Sequence, residues 1–335
     1  MRDFKISENN KFFMFTLLNP KSGLRDYNEF KIFDSHVHFW GHRNVKDFLD
    51  YVKVFGVERI LSLCNYKLKY KLKELDLDEK IIFAQYLSTQ DFLEFKTEKL
   101  IKKIEEAYSH DIRVLKISFG PRFLMFTRKK NPYRIDDDRL ESVYSLIEEY
   151  EIPVIIHIAD PDIWYSKKYK NKNKYGTKND RIDHFSNLLE NYPKIKMISA
   201  HLGSLPENLI KLGDLLDKYP QLFVDTASTR WMIRELGKNV IKTKDWITKY
   251  EDRILFGSDL SNFEFHLKFF FSRKRKEFFW ASRYWSQRLF WETSHQTPLP
   301  FKDKDNPTRT FIKGLSLNKT VLKKLYYENA IKLFC

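Results

Sequence analysis

Two histidines, His36 and His38, end the apolar stretch IFDSHVHFW and are separated by a single residue. Side chains two residues apart on a β-strand point to the same face, so both imidazoles would face one side. Imidazole is the commonest metal ligand among protein side chains. The spacing indicates a site for one cation, although in a chain with nine histidines an H-x-H pair can also be merely a polar strand end.

Eight short β-branched or apolar segments, separated by amphipathic helical patterns such as TEKLIKKIEEAY, predict the elements that would position these histidines. They cover residues 31–39, 59–64, 81–87, 113–119, 153–159, 196–201, 222–228 and 253–259. Alternating strands and helices imply parallel pairing, and eight units favour a closed (β/α)8 TIM barrel of the α/β class. We therefore expect an N-terminal extension over residues 1–30 and one barrel domain over 31–335, with long loops after strands five and eight.

Further polar residues fall late in predicted strands or at their ends. His157 lies late in strand five, His201 ends strand six and Asp259 ends strand eight. Singly, His157 could be a core histidine and Asp259 a helix N-cap. Jointly, burying four imidazoles and a carboxylate would cost several kcal/mol unless something pairs them, and a divalent metal would do so. Since the strand ends of such a barrel form its active-site face, these residues should converge there.

This set of residues resembles the amidohydrolase superfamily and, within it, the amidohydrolase-2 (amidohydrolase-related) family. The resemblance covers nearly the whole chain after the extension. It rests on D-S-H-V-H at 34–38, H-I-A-D-P at 157–161, S-A-H-L-G at 199–203, D-T-A-S at 225–228, L-F-G-S-D at 255–259 and Y-Y-E-N-A at 326–330.

The resemblance implies that His36, His38, His157 and Asp259 bind one divalent metal ion, for which zinc is expected. His201 would face the metal-bound water or the substrate, and Asp259 would also take a proton from that water and pass it to the leaving group. A second-metal role for His201 stays open at this point.

Lys116, in strand four, matches a lysine that binuclear members of the superfamily carboxylate to bridge two metals. Because many mononuclear members of this family also have a lysine here, we expect a single metal and a substrate-side role for Lys116. Arg122, Trp164 and Arg230 follow strands four, five and seven and are further candidates for substrate contact. The arginines would suit a substrate carboxylate, but they are equally compatible with surface ion pairs.

The expected function is a metal-dependent hydrolase of a C–N or C–O bond in a small molecule, such as an amide, cyclic imide, lactone or ester. The alternative within the same resemblance is a non-oxidative decarboxylase of an unsaturated or aromatic carboxylic acid, which uses the same metal set. A third hypothesis, that the barrel only binds nucleic acid through its basic surface, is disfavoured because every metal-ligand type is retained.

The composition of the chain restricts the compartment and the partners that we expect. Two cysteines, Cys64 and Cys335, give neither a disulfide framework nor a CxxC motif, which favours a reducing compartment. The apolar stretch in KFFMFTLLNP is too short to span a bilayer. We expect a soluble cytoplasmic protein that binds a small-molecule substrate, with neither nucleic acid nor membrane as a partner. A homodimer is an open expectation, because dimers are common in the family that the chain resembles.

The formal net charge is +15, and three basic runs that contribute to it each follow a predicted strand. Residues 128–134, 166–174 and 272–276 follow strands four, five and eight, and therefore fall on the face where the metal should lie. This placement predicts an electropositive rim that attracts an anionic substrate. The competing interpretation is that these are solvated lysine-rich loops.

Overall fold

A parallel β-barrel forms the centre of the computed structural model, which describes residues 29–126, 134–262 and 273–335. The extension predicted for residues 1–30 lies, up to residue 28, outside the described residues. All neighbouring strands of the main sheet pair in parallel, in the order β8-β7-β6-β5-β4-β3-β2-β1-β9. The strands are β1 (Ile32–His38), β2 (Val57–Cys64), β3 (Ile81–Leu87), β4 (Leu115–Ser118), β5 (Val154–His157), β6 (Met197–Ser199), β7 (Leu222–Asp225), β8 (Ile254–Leu255) and β9 (Leu260–Ser261).

The sheet closes through β8, which lies within the eighth predicted strand (253–259), and β9, which follows directly after it. β8 pairs with β7, whereas β9 pairs with β1 through Leu260 and Ser261. Between β8 and β9, the Ser35 amide donates to the Phe256 carbonyl at 2.9 Å, and the Asp259 amide donates to the His36 carbonyl, also at 2.9 Å. The chain therefore forms the (β/α)8 barrel that the alternating pattern predicted.

Helices connect the strands and pack around the barrel. The aromatic-rich stretch after strand eight forms the longest of them, and its Trp280, Tyr284 and Trp291 are buried in the core. None of the described helices is both long and apolar enough to cross a membrane. The helices are α1 (Val45–Val52), α2 (Lys67–Lys73), α3 (Thr89–Leu93), α4 (Thr97–Ser109), α5 (Glu141–Glu149), α6 (Asp162–Lys167), α7 (Lys172–Tyr175), α8 (Lys178–Asn191), α9 (Leu209–Lys218), α10 (Thr229–Leu236), α11 (Val240–Lys249), α12 (Arg273–Glu292), α13 (Lys319–Lys323) and α14 (Asn329–Phe334).

The connections after strands five and eight are long, as expected, and their described parts contain regular elements. The stretch after β5 forms the two short helices α6 and α7 before α8 begins. Beyond α12, the chain makes an antiparallel hairpin of β10 (Gln296–Pro298) and β11 (Phe311–Lys313). Its loop returns to the barrel mouth, because Asp305 lines the cavity described below.

The two ends of the barrel differ in chemistry. An apolar cluster fills the lower interior, where Phe33, Leu61, Ile155 and other strand residues pack with Leu333 and Phe334 of α14. The rings of Phe33 and Phe334 have centroids 5.9 Å apart. The C-terminal helix thus closes the bottom of the barrel.

A buried ion pair within α12 ties this helix to the barrel. Arg288 donates to both carboxylate oxygens of Glu292, at 2.6 and 3.1 Å, and also to the Phe55 carbonyl at 3.1 Å. The Tyr326 hydroxyl donates to Glu292 at 2.9 Å. Because both charged side chains are fully buried, removing either partner would leave the other uncompensated in a medium of low dielectric.

We expect Arg288→Met to lower the free energy of unfolding by about 3–5 kcal/mol, because it leaves the Glu292 carboxylate buried without its cation. The double variant Arg288→Met/Glu292→Leu should recover much of that loss, since the buried charge is then gone. Urea denaturation followed by circular dichroism measures both. A double variant less stable than Arg288→Met would contradict this explanation.

Candidate metal centre

Histidine rings from β1, from β5 and from the turn after β6 meet at the open end of the barrel. The His36 and His38 rings of β1 have centroids 5.2 Å apart, and His36 stacks on His201 at the same centroid distance. His157, from β5, meets His201 edge to face at 4.8 Å. Asp259 lies against both histidines of β1, with its Oδ1 3.3 Å from His38 Nε2 and 3.7 Å from His36 Nε2. The structure thus brings together the five residues at which the strand-end argument pointed.

All the residues predicted for the site line one cavity of about 440 Å³ at this end. Its floor carries the histidines and Asp259, and its walls are rich in aromatic and cationic side chains. The predicted lining residues are His36, His38, Lys116, Arg122, His157, Trp164, His201, Arg230 and Asp259, and they are joined by Trp40, Tyr86, Ser118, Gly120, Phe123, Asp160, Pro161, Ser228, Trp231, Arg234 and Asp305.

A β-bulge in β1 decides which side chains of that strand face the cavity. Asp34 pairs with Ile60 of β2 and Val37 with Ser62, so β1 has one residue more than β2 over this interval. An extra residue reverses the alternation of side chains. Asp34 consequently faces α12, where its Oδ2 accepts a hydrogen bond of 2.6 Å from the Tyr284 hydroxyl. Asp34 is therefore not among the residues that line the cavity, although it stands two residues before His36.

His36 is held by a carboxylate that the sequence patterns did not single out as a site residue. Its Nδ1 lies 2.7 Å from Oδ2 of Asp225, the last residue of β7. Burial lowers the pKa of His36 to about 3, with Lys116 adding to the effect and Asp225 only partly offsetting it. Burial would raise the pKa of Asp225, but the adjacent His36 and the His201 amide lower it to about 2. A neutral His36 therefore donates from Nδ1 and keeps the lone pair of Nε2 for the cavity.

His157 presents Nδ1 to the cavity, whereas His36 presents Nε2. The His157 Nε2 lies 2.7 Å from the Ala159 carbonyl and 3.4 Å from Asp160 Oδ1. A carbonyl only accepts, so Nε2 must carry the hydrogen, and Nδ1 is the atom left to bind a metal. Gly120 packs against this ring so closely that a Cβ there would lie 3.1 Å from His157 Cε1.

His201 and Asp259 both have left-handed backbones, with φ of 59° each. Such conformations are costly for residues other than glycine and persist where surrounding contacts over-determine them. Burial lowers the pKa of His201 and keeps its imidazole neutral. For Asp259, burial would raise the pKa, but the hydrogen bond from His38 and the neighbouring imidazoles more than offset it and lower it. The site therefore holds an ionised Asp259 carboxylate together with the neutral imidazoles of His36 and His201.

The predicted substrate residues occupy the walls of the cavity. Burial lowers the pKa of Lys116, in β4, to about 8, an effect that Asp225 and Asp259 partly oppose. Arg122 and Arg230 approach from the segments after β4 and β7, and Trp164 from α6. Whether these side chains bind a substrate stays a prediction.

Asp225, Arg234 and Asp305 are among the lining or supporting residues that sequence reasoning missed. Asp225 ends strand seven, so the strand-end criterion that found the histidines could have found it too. Arg234 and Asp305 come from α10 and from the distant β10–β11 hairpin loop. No local signal marks these two, because only the folded chain brings them to the cavity.

The donor set fits a divalent cation. His36, His38 and Asp259 each offer a ligand atom, and these three atoms lie within 4.8 Å of one another. Among the described residues, the buried Nδ1 atoms of His38 and His201 have no hydrogen-bond partner. Neutral imidazole nitrogens with one carboxylate oxygen are the ligands that zinc and related divalent ions take in catalytic sites.

Comparison with known proteins identifies the class to which the chain belongs. A family described as Amidohydrolase, the amidohydrolase-2 family, matches residues 120–335. The chain is therefore a member of this family, as the spaced histidine motifs indicated. No curated protein sequence matches the chain.

Solved structures support the fold. An uncharacterized TIM-barrel protein from Bordetella bronchiseptica is 13% identical with a TM-score of 0.54, over 91% of this chain and 98% of that one. A 2,6-dihydroxybenzoate decarboxylase from Rhizobium is 13% identical with a TM-score of 0.51, over 91% and 98%. A 5-carboxyvanillate decarboxylase from Novosphingobium aromaticivorans, complexed with manganese and 4-hydroxy-3-methoxy-5-nitrobenzoic acid, is 10% identical with a TM-score of 0.52, over 93% and 97%.

Gly257, between β8 and β9, tests how tightly the site is packed. A Cβ at this position would lie 2.9 Å from His36 Cβ and 3.2 Å from Ala227 Cβ. We expect Gly257→Ala to lower the free energy of unfolding by about 1–3 kcal/mol and to weaken metal binding, because β1 must shift. Gly41→Ala is the matched control, since a Cβ there meets no heavy atom within 4 Å. Chemical denaturation and metal titration measure both, and equal behaviour of the two variants would contradict the expectation.

Proposed function

We propose that the chain is a metal-dependent hydrolase that cleaves a C–N or C–O bond in a small, anionic molecule such as an amide, cyclic imide, lactone or ester. The observation that carries the proposal is the convergence of His36, His38 and Asp259, with His157 and His201, at the floor of a single cavity. Membership of the amidohydrolase-2 family supports it. Zinc is the metal that we propose.

His36 Nε2, His38, His157 Nδ1 and Asp259 would hold the ion. When bound, a divalent ion supplies Lewis acidity, which polarises a substrate oxygen and makes water near it more acidic. The Asp259 carboxylate would accept the proton of the attacking water and deliver it to the leaving nitrogen or oxygen. The neutral His201 imidazole would donate a hydrogen bond to the substrate oxygen on which negative charge develops, and the Lys116 ammonium would stabilise that charge.

Decarboxylation of an unsaturated or aromatic carboxylic acid is the second candidate, and the cavity walls favour it specifically. Trp40, Tyr86, Trp164 and Trp231 line the cavity together with Arg122 and Arg230. Flat aromatic faces suit a conjugated ring, and a guanidinium suits a carboxylate. Solved structures that share the fold include decarboxylases of aromatic acids. Release of carbon dioxide, rather than of an amine or alcohol, would identify this reaction.

We expect elemental analysis of the purified protein to find about one divalent ion per chain. His38→Ala should lose both metal and activity, because it removes a ligand. His201→Ala should keep much of the metal and lose most of the rate, because His201 faces the substrate and is not a ligand. His184→Ala, on α8, is a control that should change neither. If His201→Ala strips the metal as thoroughly as His38→Ala, the division of roles is wrong.

The charge of the barrel mouth yields a separate proposal, that an electropositive rim steers the substrate. Of the three basic runs, residues 166–174 lie within the described part, whereas 128–133 and 272 lie outside it. Lys167, Lys168, Lys170 and Lys172 are exposed on this connection. Lys168 Nζ lies 3.2 Å from the centroid of the Trp164 ring, which lines the cavity. Cations at this distance from an aromatic face are attracted to it, so this charge is held at the entrance.

For an anionic substrate, kcat/KM should fall as salt is added while kcat changes little, because exposed charges are screened beyond about 8 Å at physiological salt. Changing Lys167, Lys168, Lys170 and Lys172 together to Glu should flatten this dependence. Steady-state kinetics at several salt concentrations measure it, with a neutral substrate analogue as the control. An unchanged salt response in the variant would eliminate the rim.

A further inference from the structure

The Asp225 carboxylate does not line the cavity, but it contacts site residues from two other parts of the barrel. Its side chain is fully buried, and its Oδ2 lies 2.7 Å from His36 Nδ1 on β1. Its Oδ1 accepts two backbone hydrogen bonds, from the His201 amide at 2.8 Å and the Ala227 amide at 3.0 Å. One carboxylate therefore joins β1, β7 and the segment after β6.

The contact with His36 fixes which nitrogen faces the cavity. An ionised carboxylate only accepts hydrogen bonds, so the hydrogen of the neutral ring is on Nδ1. The lone pair is then on Nε2, the atom 3.7 Å from Asp259 Oδ1. Carboxylates that accept from the second nitrogen of a histidine in this way set its tautomer and raise its basicity as a metal ligand.

The contact with His201 holds an unfavourable backbone. His201, Leu202, Gly203 and Ser204 all have left-handed φ, between 50° and 60°. For non-glycine residues this conformation costs roughly 1–2 kcal/mol each. The Asp225 oxygen accepts from the first amide of the turn, and the Ser204 hydroxyl at its end donates to the Ala159 carbonyl at 2.7 Å. The turn is therefore fastened at both ends, which places the His201 ring against His36.

We propose that Asp225 is a positioning residue that sets the tautomer of His36 and the orientation of His201 together. This role requires the negative charge of the Asp225 carboxylate, and not only the shape of the side chain. This inference rests on the proposed function in that it takes His36 as a metal ligand, but the tautomer of His36 can be measured without any metal.

Asp225→Asn tests the proposal because the geometry dictates how the amide must sit. Two backbone N–H groups need an acceptor at the Oδ1 position, so the amide oxygen must remain there. The amide NH2 then faces His36 Nδ1 and donates to it, which moves the ring hydrogen to Nε2. We expect a folded protein whose affinity for Zn²⁺ is about tenfold to a hundredfold weaker, the range seen when such partners of metal ligands are lost.

Asp34→Asn is the matched control, since Oδ1 of each aspartate accepts hydrogen bonds from two backbone amides. Asp34 is also fully buried, and its Oδ1 accepts from the His36 amide at 3.1 Å and the Ser258 amide at 3.0 Å. Its Oδ2, however, accepts from the Tyr284 hydroxyl, which can rotate and accept from an amide instead. The same substitution should therefore leave the His36 tautomer unchanged and alter Zn²⁺ affinity by less than about threefold, well below the effect of losing a ligand's carboxylate partner.

Histidine ¹⁵N chemical shifts in the metal-free proteins, with Zn²⁺ affinity from competition with a chelator, decide the question. The proposal requires a hydrogen on Nδ1 of His36 in the wild type and on Nε2 in Asp225→Asn, with Zn²⁺ affinity reduced only in the latter variant. A wild-type His36 protonated on Nε2 overturns it even if the variant does not fold. Equal Zn²⁺ affinities of Asp225→Asn and Asp34→Asn overturn it as well. If His36→Ala binds Zn²⁺ as the wild type does, the metal centre of the proposed function fails, while the ¹⁵N shifts still test the tautomer.

Discussion

The buried carboxylate of Asp225 is the contact on which the rest of the site depends. It contributes nothing to the cavity surface, yet a histidine of the first strand and the turn after the sixth both adopt their geometry against it. A buried charge is tolerated only where hydrogen bonds surround it, and three donors contact the Asp225 carboxylate. The strands can bring imidazoles close together, but the nitrogen that each one presents is decided by such second partners. His36 and His157 accordingly present opposite nitrogens within one site.

Because of the bulge in β1, neighbouring residues of one motif face different sides of the strand and have different roles. Asp34 faces α12 and fastens the strand to the Tyr284 hydroxyl, whereas His36 and His38 face the cavity. Without the extra residue, the apolar ring of Phe33 and the imidazoles above it could not all lie inside the barrel. The motif D-S-H-V-H thus joins the packing of the outer helix to the chemistry of the inner face.

Most of the barrel was predictable from the sequence, because short apolar segments between amphipathic helices allow few other arrangements. The convergence of His36, His157, His201 and Asp259 was predictable for the same reason, as each comes late in a predicted strand or at its end. Side-chain direction was harder to predict, since a single inserted residue in β1 changes which face of the strand Asp34 shares. The short helices after β5, the left-handed turn at His201 and the approach of Asp305 depend on contacts between distant segments, which local patterns do not encode.

The barrel closes where its first and last strands meet, and the strand pairing at this seam is short. β8 and β9 have two residues each, and in the segment between them Phe256 and Asp259 each make one backbone hydrogen bond to β1. The proposed ligands lie on opposite sides of the seam, His36 and His38 on β1 and Asp259 between β8 and β9. An ion held there would bridge two segments that are far apart in sequence, and because it binds only the folded arrangement it would stabilise the closed barrel. Amide hydrogen exchange along the seam should therefore slow when the ion is bound.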